Sequence, residues 1–321
     1  MLKPDQYIQQ QLEKLAELVT VNVTDNELVD TIVGRILSKK FRKYAIGEEY
    51  RQHLVKLVNE AVTNKKPINM VWVFGGYKLW RIPTSPNVDW AELFSMIYFA
   101  RYAKYIAEVY RPGVVFDFYS DDVIVSRMDN IPQKDIDAYQ ESFTRLLEFV
   151  KQYLPNGVEF VYNRVADQYA EDEFDKELEQ NITKLKSDLP GGLPAMDEVR
   201  RALVELNVKL TSGQDQDPQW REKVLLIHDA YALASKRRPY YRNENKVMVV
   251  NTPLKGAIAI GTTKSSVAKY WCGLGVLEKR GDSYVEKILS PKQLEVANIE
   301  YYDAKVKGLT GNNFEKIGIT G

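Results

Sequence analysis

The sequence predicts an α/β fold with a mostly parallel central sheet over about residues 66–165. Three short apolar runs have the length of buried strands: Ile68–Phe74, Val114–Tyr119 and Val158–Asn163. Longer segments with apolar residues at helical spacing separate these runs, and this alternation of strand and helix is typical of βαβ units. With 321 residues, the chain is long enough for one large domain or two small ones.

The segment before the sheet, residues 1–65, is expected to be a helical lobe. Ile8, Leu12 and Leu15 recur at steps of three or four residues, which predicts a helix with one buried stripe. A Thr-Asp-Asn-Glu capping sequence predicts the start of a second helix, and a third is expected over Glu48–Val62.

The α/β core is expected to span residues 66–190. Helices over Asp89–Tyr110 and Asp135–Leu154 connect its strands, because both segments carry apolar residues at helical spacing. The charge-dense segment Ala170–Leu189 predicts a solvated helix at the end of this core.

The last segment, residues 191–321, is expected to be a helical and mixed α/β region. Met196–Leu210 and Trp220–Ser235 have helical patterns, while Val247–Val250 and Ala257–Ile260 are short strand candidates.

A winged-helix-like element is expected within this last segment. It would consist of a helix over Ser266–Leu274 and a small hairpin in residues 275–289, with the basic pairs Arg237-Arg238 and Lys279-Arg280 nearby. The Gly- and Asn-rich tail from Leu309 is expected to be frayed.

Composition excludes several classes of function. Lys and Arg together number 44, as do Asp and Glu, so a generally basic nucleic-acid binder is disfavoured although a local basic patch is not. With Cys272 as the sole cysteine and only two histidines, neither a disulfide, a cysteine-rich zinc site nor clustered imidazole chemistry is expected. No apolar run approaches the roughly 18 residues that span a bilayer, so the expectation is a cytoplasmic protein without a membrane partner. Neither a cofactor nor a bound metal is predicted.

The loop after the first strand is the first candidate site. Gly75-Gly76 allows the backbone to approach a ligand, and Lys78 and Arg81 supply two cations. Ser85 and Asn87 add polar groups, so the loop suits a phosphate or carboxylate. The alternative is a structured loop whose cations face solvent.

Acidic residues mark the end of the second strand as another candidate site. Alternation along the strand places Asp117 and Tyr119 on one face, and Asp121 and Asp122 follow at the mouth of the same crevice. A carboxylate there can act as a base, and a pair can bind Mg²⁺ or Mn²⁺. The alternative is simple capping of the next turn.

Two further positions offer ligands for an anion. Asn163 and Arg164 end the third strand at an equivalent height, which makes them candidate contributors to the same crevice. Thr262, Thr263 and Lys264 follow an apolar run and form a candidate secondary anion site, with N-capping as the plainer alternative.

Several short blocks between residues 70 and 150 resemble one known family. These blocks are the Lys-bearing loop with Ser85-Pro86-Asn87, the helix start Asp89…Glu92-Leu93, the turn Tyr110-Arg111-Pro112-Gly113 and the strand end Ser120-Asp121-Asp122. Together they resemble the isonitrile synthases, also described as pyoverdine/dityrosine biosynthesis proteins. The resemblance is distant and covers about a quarter of the chain.

This resemblance implies a Rossmann-like fold and a biosynthetic reaction. Members of the family condense an amino acid, commonly Tyr or Trp, with the ketone of ribulose 5-phosphate and convert the amine to an isonitrile. In this chain Lys78 and Arg81 would bind the phosphate. Asp121 or Asp122 would serve as a base or as a hydrogen-bond acceptor for the amine, and Tyr119 and Asn163 would orient the substrate.

Two alternatives come from other functional classes. The first is a nucleic-acid-interacting or nucleic-acid-modifying protein that uses the winged-helix-like element. The second is a metal-dependent nucleotidyl or glycosyl transferase that uses Asp121 and Asp122.

Overall fold

A five-stranded parallel sheet lies at the centre of the computed structural model, which describes residues 2–129, 131–188, 218–236, 245–251 and 254–321. Its strands are β1 (Ile68–Phe74), β2 (Val114–Ser120), β3 (Val158–Arg164), β4 (Val247–Val250) and β5 (Ile258–Ala259). They are arranged in the order β3-β2-β1-β4-β5, and every neighbouring pair is parallel. The predicted α/β class is therefore confirmed.

Eight helices of the described segments surround this sheet or precede it. They are α1 (Pro4–Ala16), α2 (Asp25–Ile36), α3 (Glu48–Thr63), α4 (Trp90–Ala107), α5 (Asp122–Met128), α6 (Gln133–Lys151), α7 (Glu173–Asp188) and α8 (Pro218–Ala232). Among these residues, no helix combines the length and the apolar character needed to cross a membrane. The predicted helix over Met196–Leu210 and the Arg237-Arg238 pair lie outside the described residues.

The two faces of the sheet pack into two hydrophobic clusters, as the alternation in β2 predicts. Phe116 and Phe118 belong to the larger cluster with the N-terminal helices and α4 and α6. Tyr119 belongs to the smaller cluster, where α7 and α8 cover the opposite face. Both faces of a parallel sheet are buried in this way, which explains the continuous apolar runs.

A second, four-stranded sheet packs against the start of α4. It contains β6 (Leu274–Arg280), β7 (Ser283–Leu289), β8 (Glu300–Asp303) and β9 (Lys316–Thr320), in the order β7-β6-β9-β8, with the short helix α9 (Pro291–Leu294) after β7. A Cβ atom at Gly275 would collide with the backbone of Trp90 and Ala91, so glycine allows this close approach.

The C-terminal region differs from the prediction in three respects. The hairpin is present as β6 and β7, but the helix expected over Ser266–Leu274 is absent, and only Tyr270–Cys272 form one 3₁₀ turn. The tail is not frayed, since β9 lies between β6 and β8 with Ile317 and Ile319 buried. The central sheet also continues beyond residues 66–165, because β4 and β5 complete it. Division of the chain into residues 1–65, 66–190 and 191–321 stays a prediction.

The turn after β1 fits tightly against the end of β2, which makes Gly76 a sensitive position. Gly76 has a φ of +70°, and a Cβ there would collide with Ser120 Oγ and lie 2.6 Å from Gln140 Nε2. Gly256 has a similar φ of +78°, but nothing lies within 4 Å of a Cβ at that position.

Alanine variants at these two glycines distinguish the cost of backbone strain from the cost of steric crowding. We expect Gly256→Ala to lower the free energy of unfolding by about 1 kcal/mol through the left-handed backbone alone. Gly76→Ala should cost a further 1–3 kcal/mol, roughly, because the added methyl overpacks the turn. Urea unfolding of both variants measures the difference, and equal losses would contradict the close packing of this turn.

Candidate functional site

The carboxyl ends of β1, β2 and β3 lie level with one another. The strand register aligns Phe74 with Ser120 and Ser120 with Arg164, so the residues that follow them share one edge of the sheet. In open α/β sheets, ligands bind beyond this edge. The structure thus brings the side chains of Asp122 and Arg164 together at this edge, whereas Asp121 precedes Asp122 in the chain and directs its carboxylate to Tyr231.

Asp122 and Arg164 form an ion pair at this edge. Arg164 Nε donates to Asp122 Oδ2 at 2.6 Å, and the Asp122 side chain is buried while that of Arg164 is about a quarter exposed. Burial raises the pKa of Asp122, and the neighbouring guanidinium opposes that rise. Because a guanidinium has five N–H donors, Arg164 keeps donors for a ligand while it holds the carboxylate.

A pocket of about 290 Å³ opens beside this ion pair. Asp122 and Arg164 line it together with residues that sequence reasoning did not identify, mainly from α5, α6 and the segment before α7: Arg127, Gln133, Tyr169, Glu171, Asp172 and Asp175. The lining therefore contains two guanidinium groups and several carboxylates. This mixture of charges suits a small molecule that carries both an anionic and a cationic group.

The position of Arg127 on α5 could have been found from the sequence. Arg127 lies five residues after Asp122 on the helix that begins at the edge of the sheet. It donates to the backbone oxygen of Val123 and to Asp175 on α7. A helix predicted over Asp122–Met128 would have placed Arg127 in its last turn, close to the edge of the sheet where the pocket lies.

Asp121 is held from two directions. Its backbone N–H donates to the oxygen of Phe74 at 2.8 Å, and its Oδ1 accepts from Tyr231 Oη at 2.5 Å. Tyr231 lies on α8 and is buried. Sequence reasoning missed Tyr231 because it is remote in the chain and belongs to an otherwise apolar helical stretch.

Tyr119 and Asn163 do not reach the pocket in the way that was expected. Tyr119 is fully buried, and its hydroxyl accepts from Gln168 Nε2 at 2.9 Å. Asn163 donates to Asp117 at 2.8 Å, and Lys246 lies 3.7 Å from the same carboxylate. Their polar groups are engaged within the protein, so direct orientation of a substrate does not fit this arrangement.

Lys78 does not fit the expected role of a phosphate ligand. Its side chain is fully buried, with Nζ 3.0 Å from Asp89 Oδ2 and 2.9 Å from Glu92 Oε2. Nζ also donates to the backbone oxygen of Tyr270 at 3.1 Å. These three acceptors satisfy the three donors of an ammonium group, which leaves none for an external anion.

The cluster around Lys78 carries two carboxylates for one cation. Burial raises the pKa of Glu92 to about 7, although Lys78 opposes the rise. Tyr139 Oη donates to Glu92 Oε1 at 3.2 Å, and Asp89 caps α4 by accepting from the backbone N–H of Ala91. The cluster therefore ties the loop after β1 to the beginning of α4.

The other three predicted residues of this loop, Arg81, Ser85 and Asn87, do not face a common site. Arg81 is exposed, with its guanidinium 4.9 Å from the Trp80 ring centroid. Ser85 Oγ donates to the backbone oxygen of Lys78 at 3.3 Å. Asn87 is exposed and lines a different pocket, so the four residues do not form one anion site.

The predicted secondary anion site is likewise closed. Thr262 and Thr263 are buried, and Thr262 Oγ1 donates to the backbone oxygen of Ala268 at 2.7 Å. The backbone N–H groups of both threonines point to the oxygen of Ser266. Lys264 is exposed beside a loop that satisfies its own polar groups.

The nucleic-acid alternative loses the feature on which it depended, whereas the metal-dependent alternative, which needs only the pair Asp121 and Asp122, stays a prediction. The region expected to be a reading helix is a loop and a buried 3₁₀ turn, so the chain offers no winged-helix recognition element there. Asp122 pairs with Arg164, and no group of three or more His, Cys, Asp or Glu side chains within the described segments could hold a metal ion.

The buried position of Lys78 leads to a direct test of its role. We expect Lys78→Met to lower the free energy of unfolding by about 3–5 kcal/mol, because it leaves two buried carboxylates uncompensated. The exposed Arg81 provides the control, since Arg81→Met should change stability by no more than about 0.5 kcal/mol. Guanidinium unfolding measures both. A Lys78→Met variant as stable as the original protein would restore the ligand-binding interpretation.

Comparison with known proteins shows the fold. No protein-family model matches the sequence, and no curated protein sequence matches it. The structure is similar to the crystal structure of the PvcA protein from Pseudomonas aeruginosa, with a TM-score of 0.63 and 14% sequence identity over 92% of this chain and 100% of that chain. At 14% sequence identity, this likeness shows a shared fold. The distant resemblance to the isonitrile synthases is thereby confirmed as a shared fold.

Proposed function

We propose that this protein is a small-molecule biosynthetic enzyme that condenses the amine of an amino acid with the ketone of a phosphosugar. The observation that carries the proposal is the pocket beside Asp122 and Arg164, which lies at the carboxyl edge of the sheet and has lining groups of both charges. The fold shared with PvcA supports the class of reaction by fold-level analogy, because function depends on the residues of the site and not on the fold.

The guanidinium groups of Arg127 and Arg164 bind the phosphate in this proposal. Both side chains line the pocket and are about a quarter to a third exposed, so each has N–H donors that face solvent. Planar guanidinium groups match the oxygen atoms of phosphate better than a buried ammonium does. The proposed phosphate ligands are therefore Arg127 on α5 and Arg164 at the end of β3, in place of Lys78 and Arg81.

Asp121 accepts the proton that the amine must lose. An ammonium group has no lone pair, so a carboxylate first removes one proton, and the nitrogen then attacks the ketone carbon. The carbonyl oxygen takes up a proton to give a carbinolamine, which loses water to form an imine. Asp121 does not itself line the pocket, but it is partly exposed and directly precedes the pocket-lining Asp122, and Tyr231 fixes one of its oxygens.

Asp122 acts as a positioning residue for Arg164. Its Oδ1 lies 3.4 Å from the backbone nitrogen of Ala166, and its Oδ2 accepts from Arg164 Nε. These contacts fix the guanidinium plane at the pocket wall, which lowers the ordering cost when a phosphate binds.

Phosphate binding can be assigned by comparing two arginines. We expect Arg127→Gln to weaken ribulose 5-phosphate binding by about tenfold, because one charge-assisted contact is worth roughly 1.5–3 kcal/mol before losses elsewhere. Arg81→Gln should leave the affinity unchanged. Isothermal titration calorimetry measures both constants. The reverse result, with Arg81 essential and Arg127 dispensable, would place the phosphate at the loop after β1.

The role of Asp121 can be separated from its structural contacts. We expect Asp121→Asn to abolish condensation of an amino acid with ribulose 5-phosphate, because an amide cannot accept the proton, while stability falls by about 1 kcal/mol or less, since the amide oxygen can still accept from Tyr231. Tyr231→Phe removes the hydrogen bond but keeps the carboxylate, so activity should persist at a reduced rate. Product formation followed by mass spectrometry, together with thermal unfolding, tests both. An active Asp121→Asn variant would contradict the assignment.

A further inference from the structure

A second pocket, of about 280 Å³, lies between α6 and the loop formed by residues 308–314. Its lining includes Asn87 and Val88 before α4. It shares no lining residue with the first pocket, which lies at the carboxyl edge of β2 and β3. It is therefore separate from the proposed phosphate site. Its volume is just below the range of drug-sized sites, which indicates a small ligand.

The base of this second pocket is apolar and partly aromatic. Leu146 and Phe149 on α6 and Phe314 at the end of the loop are buried and line it. Phe149 and Phe314 keep 6% and 7% of their surface exposed, and glycine at 308 and 311 does not cover this remainder further, since a Cβ atom would lie 3.6 Å from the Phe149 ring and 3.5 Å from the Phe314 ring. An aromatic ring of a ligand can pack against such a surface.

Arg145 is the single charged residue that lines this pocket. It pairs with Glu141 one turn earlier, but both side chains are more than 60% exposed, so this pair contributes little and the guanidinium can bind another anion. The remaining polar lining consists of neutral amides and hydroxyls, among them Asn87, Thr310 and Asn312. A cation without a lining carboxylate selects for negative charge.

The pocket wall is anchored rather than loose. Asn313 Nδ2 donates to the backbone oxygens of Thr84 at 2.8 Å and Val88 at 3.1 Å, which fixes the loop to the segment before α4. Phe314 also packs edge-to-face on Trp90, with 5.1 Å between the ring centroids. A wall held in this way is formed before a ligand arrives, so binding costs little ordering.

We propose that this second pocket binds a small aromatic carboxylate, with the ring on Phe149 and Phe314 and the carboxylate on Arg145. The ligand class follows from the apolar base, the volume and the single cation. Neutral amides around the rim can donate to the second carboxylate oxygen. The inference does not depend on the reaction proposed for the first pocket.

Phenylacetate is a suitable probe, and 2-phenylacetamide is its neutral counterpart. Titration calorimetry with the full chain should show saturable binding of phenylacetate that is at least tenfold tighter than that of the amide. Arg145→Gln should weaken phenylacetate binding about tenfold, and Thr310→Trp should abolish it by filling the exposed rim. Arg51→Gln, an exposed change on α3, should have no effect.

Two outcomes would overturn the proposal. One is the absence of saturable phenylacetate binding. The other is binding that survives both Arg145→Gln and Thr310→Trp, which would place the carboxylate elsewhere. Arg164→Lys distinguishes the two pockets, because it should leave phenylacetate binding unchanged even if the first pocket binds no phosphosugar.

Discussion

The buried ion pairs of Lys78 with Asp89 and Glu92 organise the loop after β1, the start of α4 and the second sheet. Asp89 caps α4, accepts from Thr84 Oγ1 and lies 3.3 Å from the backbone nitrogen of Gly275 in β6. One cation therefore holds together parts of the chain that are far apart in sequence. Because buried charges are costly when they lack a partner, these groups restrain one another's positions.

The buried position of Lys78 differs from the ligand-facing or solvent-facing position that the sequence predicts, and the reason lies in tertiary contacts. Sequence patterns correctly predicted the three strands, most helices and the shared edge of Asp121, Asp122 and Arg164, because these depend on local periodicity and on parallel topology. Whether a lysine in a loop faces solvent depends on distant groups such as Tyr270, whose backbone oxygen completes its contacts. Tyr231 and Arg145 were missed for the same reason, since tertiary packing alone assigns them to a site.

The two pockets differ in the chemistry of the residues that line them. The pocket at the carboxyl edge has guanidinium and carboxylate groups side by side, while the pocket beneath the 308–314 loop has an apolar base and one cation. The first is built where strands of the parallel sheet end, the usual position for a reacting substrate. The second is built from helix and loop surfaces on a different part of the fold, so each can change in sequence without altering the other.

The position of β4 has a consequence for how the chain reaches its native state. β1, β2 and β3 follow one another along the sequence and pair as neighbours, whereas β4 joins the other side of β1 from a remote segment. Until that late pairing occurs, β1 is an open edge with apolar side chains and unpaired backbone groups. Because non-local parallel pairing is slow, we expect β4 to join the sheet late in folding and a chain that lacks this pairing to be prone to aggregation through the open edge of β1.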